Sequence, residues 1–457
     1  MTSPTAGQHS QDHQSTPVLD YLIRDGLILT LSQEYPAPFT GSIGIRGEEI
    51  VFLGIKGEKD LPQANKTIDA RGRLVMPGLI NAHTHAAMSL FRGLADDLPL
   101  KIWLEEHIFP AEARFMTPEA VYWGTLLACA EMLLSGTTTC ADGYFFMNEA
   151  ARAFARSGMR ALLCQGVLDF PIPGIPDPSQ NIAEAVRFVE SWEGTSPLLH
   201  TGIFCHSPYT CSSETLKTVK TLCREKGIPF FIHLAETREE VSLVKSRVGK
   251  PPTRYLQSLN LLDSRTVAIH AIHLQAGEMD LLAQNRVPVV HCPESNMKLA
   301  SGMAGVKEMQ EKGILVGLGT DSCASNNDLD LFQEMDTAAK LAKVQYADPA
   351  VLKARQVMQM ATGNGAALLG LENQIGSLEV GKKADLILIP LDRPHLTPCY
   401  DPFSLLVYAA RGSDVHSVMI SGRLVVEDRK VLTFDLPEVL DRVHWLARKI
   451  KKGCQGD

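Results

Sequence analysis

The sequence predicts an α/β protein: a (β/α)8 barrel with a discontinuous small β-sandwich domain formed by both chain ends. Three observations lead there. Through the middle of the chain, short apolar runs alternate with longer helical stretches; the two flanks carry strand signals without such helices; and several central apolar runs end in histidine or an acidic residue. Repeated strand–helix alternation implies a parallel sheet with helical crossovers. A barrel of that kind collects its chemistry at the C-terminal ends of its strands.

Taken in order, residues 1–16 read as a solvated tail without the basic and apolar regions of a secretory leader. Residues 17–76 form the first part of the sandwich, with strands over Tyr21–Leu31, Gly41–Arg46 and Ile50–Gly54, the last two joined by a turn at Gly47-Glu48-Glu49. The barrel spans 77–380. Within it, helical Pro118–Ser135 precedes an apolar Thr137–Ala141, Asn148–Ser157 precedes Ala161–Leu168, and Ser213–Lys226 precedes Pro229–Leu234. Ser212 or Ser213 caps the last of these helices and Gly227 ends it. Residues 381–457 return to strands, in Ala384–Leu391 and in a hairpin of Ser417–Ile420 and Leu424–Glu427 around Ser421-Gly422, before a final helix over Pro437–Lys452.

Composition narrows the function. The chain has 457 residues, 45% hydrophobic and 21% charged, enough for one large and one smaller domain. A net charge of -8 without a basic run argues against a nucleic-acid surface, so small molecules are the expected partners. No apolar stretch approaches the ~20 residues that span a bilayer. The ten cysteines contain no C-x-x-C pair, which is the pattern of reduced thiols in a cytoplasmic protein. Cys205, Cys211, Cys292 and Cys323 fall near the strand-end residues and read as buried thiols.

The chemistry is concentrated where apolar runs stop. Met76-Pro77-Gly78-Leu79-Ile80-Asn81-Ala82-His83-Thr84-His85 ends in two histidines two positions apart, which share a face of a strand. Other runs end at His206, at His233 with Glu236 three residues on, at His270, and at Asp321 of Gly-Leu-Gly-Thr-Asp. His83, His85, His233 and Asp321 make a mixed nitrogen and oxygen set suited to one divalent metal with an open position. Zn2+ is the first expectation; Fe2+ and Mn2+ accept the same donors. Glu236 is placed to face the same cavity as a proton shuttle, or to sit at a helix start as a dipole partner. His273 reads as structural, His291 as a brace for Asp321 or a cavity wall, Asn296 and Lys298 as shapers of their loop. Ser325 either reaches substrate or caps a helix beginning near Asn327.

The chain resembles the 5'-methylthioadenosine/S-adenosylhomocysteine deaminases of the amidohydrolase superfamily of metal-hydrolase barrels. The resemblance runs nearly end to end, through PGLINAHTH, WLEEHIFPAE, HSPYTCS, HLAET, HCPESNMKLASG, GLGTDSCASNN and GSLEVGKKADLILI. It implies metal ligation by His83, His85, His233 and Asp321 and substrate contact by Glu112 and His206. It further implies a base-pocket aromatic in Trp103, an acid/base in Glu236 that protonates a ring nitrogen, and a water-polarising His270 acting with Asp321. Binuclear barrels often use a bridging lysine from a middle strand, and no lysine occurs between Lys101 and Lys217, so a single metal ion per subunit is expected. One departure bears on substrate. Where relatives that take S-adenosylhomocysteine carry arginines, this chain has Gln165 followed by a loop with Phe170, Pro171 and Ile172 and no cation. The implied activity is hydrolytic deamination of an adenine nucleoside at C6, with 5'-methylthioadenosine preferred over adenosine and S-adenosylhomocysteine. Aminohydrolases or chlorohydrolases acting on guanine-like or triazine rings, and a non-catalytic scaffold, are the alternatives. Homo-oligomerisation is left open.

Overall fold

The computed structural model describes residues 18–57 and 61–455. The tail expected over 1–16 lies outside the described residues. Eight strands, Leu79–Thr84, Thr137–Tyr144, Arg160–Val167, Leu199–Cys205, Phe230–Leu234, Thr266–His270, Val289–His291 and Val316–Leu318, follow one another in space as in sequence, all parallel. The ring is closed by a bridge between Thr84 and Asp321, where the Asp321 N–H donates to the His83 carbonyl at 3.1 Å. Alternate residues face inward. Ile80, Ala82, Leu162, Cys164, Phe204, Phe231, Val267, Ile269 and Val290 fill the barrel, while Ala161, Leu163, Ile203, Phe230, Ile232 and Ala268 pack under the outer helices.

The helices follow their local signals. Ser212 accepts from the Thr215 N–H at the start of Ser213–Lys226, and Gly227 closes that helix in the left-handed conformation. The final helix is Leu436–Gln455, slightly longer than expected. Among the described residues no helix is long and apolar enough to cross a membrane.

Both flanks meet in one sheet of nine strands. Leu19–Ile28 pairs antiparallel with Phe39–Arg46, which pairs with Glu49–Ile55; Arg73–Pro77 pairs antiparallel with Leu386–Pro390 and so joins the two ends of the chain. Ser417–Ile420, Arg423–Glu427 and Lys430–Val431 extend it. Ser421 and Gly422 have φ of 45° and 72°, the doubly left-handed turn whose twist suits a two-residue hairpin. Ile23, Ile43, Ile45, Val75, Leu386, Leu388 and Met419 form the core of this part. Ala64–Asp69 and Arg73–Pro77, which the pattern did not reveal, complete it. Ala64–Asp69 is largely exposed, so it lacks an apolar face to read.

An ion pair locks sheet to barrel. Arg160, at the start of the third barrel strand, donates from Nε to Asp385 Oδ2 at 3.0 Å and from a terminal nitrogen to Oδ1 at 3.1 Å, and the Ser421 N–H reaches Oδ1 at 2.7 Å. Both charged residues are at most 3% exposed. Asp385→Ala leaves the guanidinium buried and unpaired, and is expected to cost about 3–5 kcal/mol, read as a lowered urea midpoint. A double change to Arg160→Met and Asp385→Leu is expected to recover most of that loss; no recovery would mean that the pair itself is not what the single change disrupts.

Candidate active site

The C-terminal ends of the strands open into a cavity of about 500 Å³. Its floor is polar, with His85, Glu112, His206, His233, Glu236, His270 and Asp321; its walls are apolar, with Trp103, Leu104, Phe109, Phe145, Phe170 and Ile172 among them.

His83, His85, His233 and Asp321 each present one ligand atom, all within 4.8 Å of one another, the one such cluster among the described residues. His83 Nε2 lies 3.4 Å and His85 Nε2 3.3 Å from Asp321 Oδ1, and His83 Nε2 lies 3.2 Å from His233 Nε2. The register of the first strand against the second shifts between Asn81 and Thr84, the stretch that holds His83, and the His83 and His85 ring centroids lie 5.9 and 5.8 Å from that of inward-facing Phe204. His85 Nδ1–H donates to the Gly143 carbonyl, which leaves the Nε2 lone pair for the cluster. Burial pulls the pKa of His83 down to about 4, and burial together with neighbouring His206 and His83 holds His233 well below the ordinary range. Burial would raise Asp321, but the adjoining His83 and His85 rings outweigh it and hold the carboxyl well below its ordinary range. Converging lone pairs of neutral imidazoles beside a carboxylate repel unless a cation sits among them, so the donor set fits a divalent metal ion. Asp321 Oδ2 is held from behind by the hydroxyls of Ser295 at 2.7 Å and Ser325 at 2.9 Å.

Glu236 and His270 flank this cluster, with Glu236 Oε2 3.8 Å from His270 Nε2. Burial raises the Glu236 pKa, with His270 opposing. Glu236 is not part of a helix: Thr237 caps Arg238–Val248, and buried Glu240 reaches back to accept from the N–H groups of Ala235 at 2.9 Å and Glu236 at 2.7 Å. Sequence reasoning missed Glu240, although Thr237-Arg238-Glu239-Glu240 has the spacing of a capping box. Glu112, whose carboxyl burial pushes up to about 7, accepts from the Tyr144 hydroxyl at 2.6 Å. His206 Nδ1 is engaged by Thr210 at 3.1 Å, and burial lowers its pKa to about 3. Trp103 begins a π-helical turn over Trp103–Ile108, in which the Phe109 N–H reaches the Leu104 carbonyl; Pro110 has no N–H to sustain the ordinary ladder there.

Three expectations, for Gln165, Ser325 and His291, are corrected, whereas His273 and Lys298 hold loops as expected. Gln165 does not face the cavity: Leu162, Cys164 and Gly166 take the inward positions, and Gln165 points to the helices, its Oε1 accepting from the Met147 N–H at 3.4 Å. Ser325 lines the cavity but caps no helix, since Leu331–Tyr346 starts at Asp330. His291 is buried outside the cavity lining, and Asp321 is braced by the two serines instead. His273 binds the Ser301 carbonyl at 2.6 Å, away from the cavity lining. Lys298 ties Asp96 at 2.6 Å and Asn327 at 2.6 Å.

Comparison with known proteins agrees with this geometry. The model of the amidohydrolase family matches residues 74–425. A 5-methylthioadenosine/S-adenosylhomocysteine deaminase of Syntrophobacter fumaroxidans is 47% identical over 94% of this chain and 98% of its own. A 5'-deoxyadenosine deaminase of Methanosarcina mazei is 44% identical over 94% and 98%. Among solved structures, an adenosine deaminase from Xanthomonas campestris with bound zinc superposes with a TM-score of 0.92 at 36% identity, covering 96% of this chain and 100% of that one. Barrel, donor set and near full-length similarity converge: the chain belongs to the amidohydrolase family.

Proposed function

We propose that the protein deaminates adenine nucleosides hydrolytically at C6, with 5'-methylthioadenosine preferred and adenosine and S-adenosylhomocysteine as lesser substrates. The observation that carries this is one cavity that joins a metal-type donor cluster and the half-buried Glu236 to aromatic and aliphatic walls sized for a nucleoside. His83, His85, His233 and Asp321 would hold one divalent ion, Zn2+ as the first choice, as bound in the Xanthomonas campestris relative. Such an ion supplies the charge that acidifies water toward neutrality. Asp321 and His270 orient the attacking water against C6. Glu236 takes one proton from that water to the adjacent ring nitrogen, where it stays, and passes the second, from the hydroxyl now on C6, to the departing amine, so that a C6–O bond forms, the C6–N bond breaks and ammonia leaves. Trp103 offers a stacking face to the base, and Glu112 and His206 offer hydrogen bonds to the sugar side. The partner is a small molecule. The ten unbridged cysteines support a cytoplasmic setting.

Ammonia release from a panel of methylthioadenosine, adenosine, S-adenosylhomocysteine, guanine and a chlorotriazine tests the reading. Turnover confined to the guanine or triazine arm would overturn it. Elemental analysis of the active enzyme is expected to find about one divalent ion per chain. Two tightly bound ions, both needed for turnover, would rule the single-ion site out.

A further inference from the structure

The short helix Pro293–Lys298 follows the seventh strand, and adjacent side chains on it reach separate parts of the site. Ser295 donates to Asp321, and Asn296 Oδ1 lies 2.8 Å from His270 Nδ1. The N-terminus of the helix is itself anchored, because the buried Glu334 carboxyl accepts from the Glu294 N–H at 3.3 Å. Asn296 is 1% exposed, and its Nδ2 has no protein partner among the described residues.

His270 needs such a contact. It ends its strand with φ of 70°, a left-handed conformation that swings its ring off the outer face that strand alternation would assign it, since Val267 and Ile269 already point inward. A neutral imidazole carries one proton, and an acceptor against Nδ1 places the proton there, leaving the Nε2 lone pair free. Nε2 is the atom that lies 3.8 Å from Glu236.

We infer that Asn296 is a positioning residue: its amide oxygen sets the tautomer and ring plane of His270, so that Nε2 faces the cavity as an acceptor for the attacking water. The unpartnered Nδ2 fits this role, because only the acceptor half of the amide is used. The inference rests on the reading of His270 as the water-orienting residue. It assigns Asn296 a role beyond shaping its loop.

The test uses the metal-loaded enzyme, with Asn296→Asp keeping the acceptor, Asn296→Leu removing both polar atoms at similar volume, and His270→Gln as reference. Asn296→Leu is expected to lower kcat for methylthioadenosine about tenfold or more, with KM and metal content unchanged. Asn296→Asp is expected to keep most of kcat. Equal losses in both variants would overturn the inference, since packing or the donor would then be what matters. Parental kcat in Asn296→Leu beside an inactive His270→Gln overturns it alone, whereas an active His270→Gln removes the reading of His270 beneath it. Nitrogen-15 spectra of the unmodified holoenzyme give an answer independent of any variant: the His270 proton is expected on Nδ1, and a proton on Nε2 refutes the assignment.

Discussion

Glu236→Gln is expected to retain its metal and lose deamination by roughly 10²-fold or more, the usual scale for a positioned acid/base. The size follows from the site. The side chain is half-buried beside His270, and desolvation there raises its pKa, which narrows the gap between taking a proton from water and giving it to a ring nitrogen. Glutamine preserves shape and one acceptor but carries no exchangeable acid. It sits outside the donor cluster, so metal content should not change. Steady-state kcat together with metal per chain decides the matter, and near-parental turnover in a metal-replete variant removes Glu236 from the mechanism.

Discrimination between nucleosides is the second large effect. Phe170, Pro171, Ile172 and Pro173 line the cavity, and the ring centroids of Phe109 and Phe170 lie 6.1 Å apart with the rings tilted by 58°. No arginine or lysine is among the described residues that line it. A methylthio group buries apolar surface there. The amino-acid carboxylate of S-adenosylhomocysteine loses water without a bidentate partner. A missing charged hydrogen bond is worth about 1.5–3 kcal/mol, or roughly one to two decades in kcat/KM for methylthioadenosine over S-adenosylhomocysteine. Equal or greater kcat/KM for the larger substrate refutes the preference. Ile172→Arg is expected to narrow the ratio by improving the carboxylate-bearing substrate specifically.

Gln165 and His270 show where sequence reading stops. Gln165 stands one residue from Gly166, which lines the cavity, and alternation alone states that one of the two faces inward without stating which. His270 has the parity of an outward residue and reaches the site through a left-handed turn that no neighbouring residue announces. Ser295, Asn296 and Tyr144 were equally unreadable as partners, because each acts on a residue distant in sequence. A side chain's chemistry is local, but its partner is chosen by the closure of the ring.

What the sequence by itself determined is the set of periodic apolar runs, and with them the barrel, the flanking strands and the histidine and acidic residues at strand ends. These follow from side-chain period and burial, which are properties of neighbours along the chain. Tertiary structure alone decided which face of each strand is interior, where the register shift at His83 falls, and which hydroxyls and amides hold Asp321 and His270. Those contacts join residues from different strands and loops, brought together only as the parallel ring assembles.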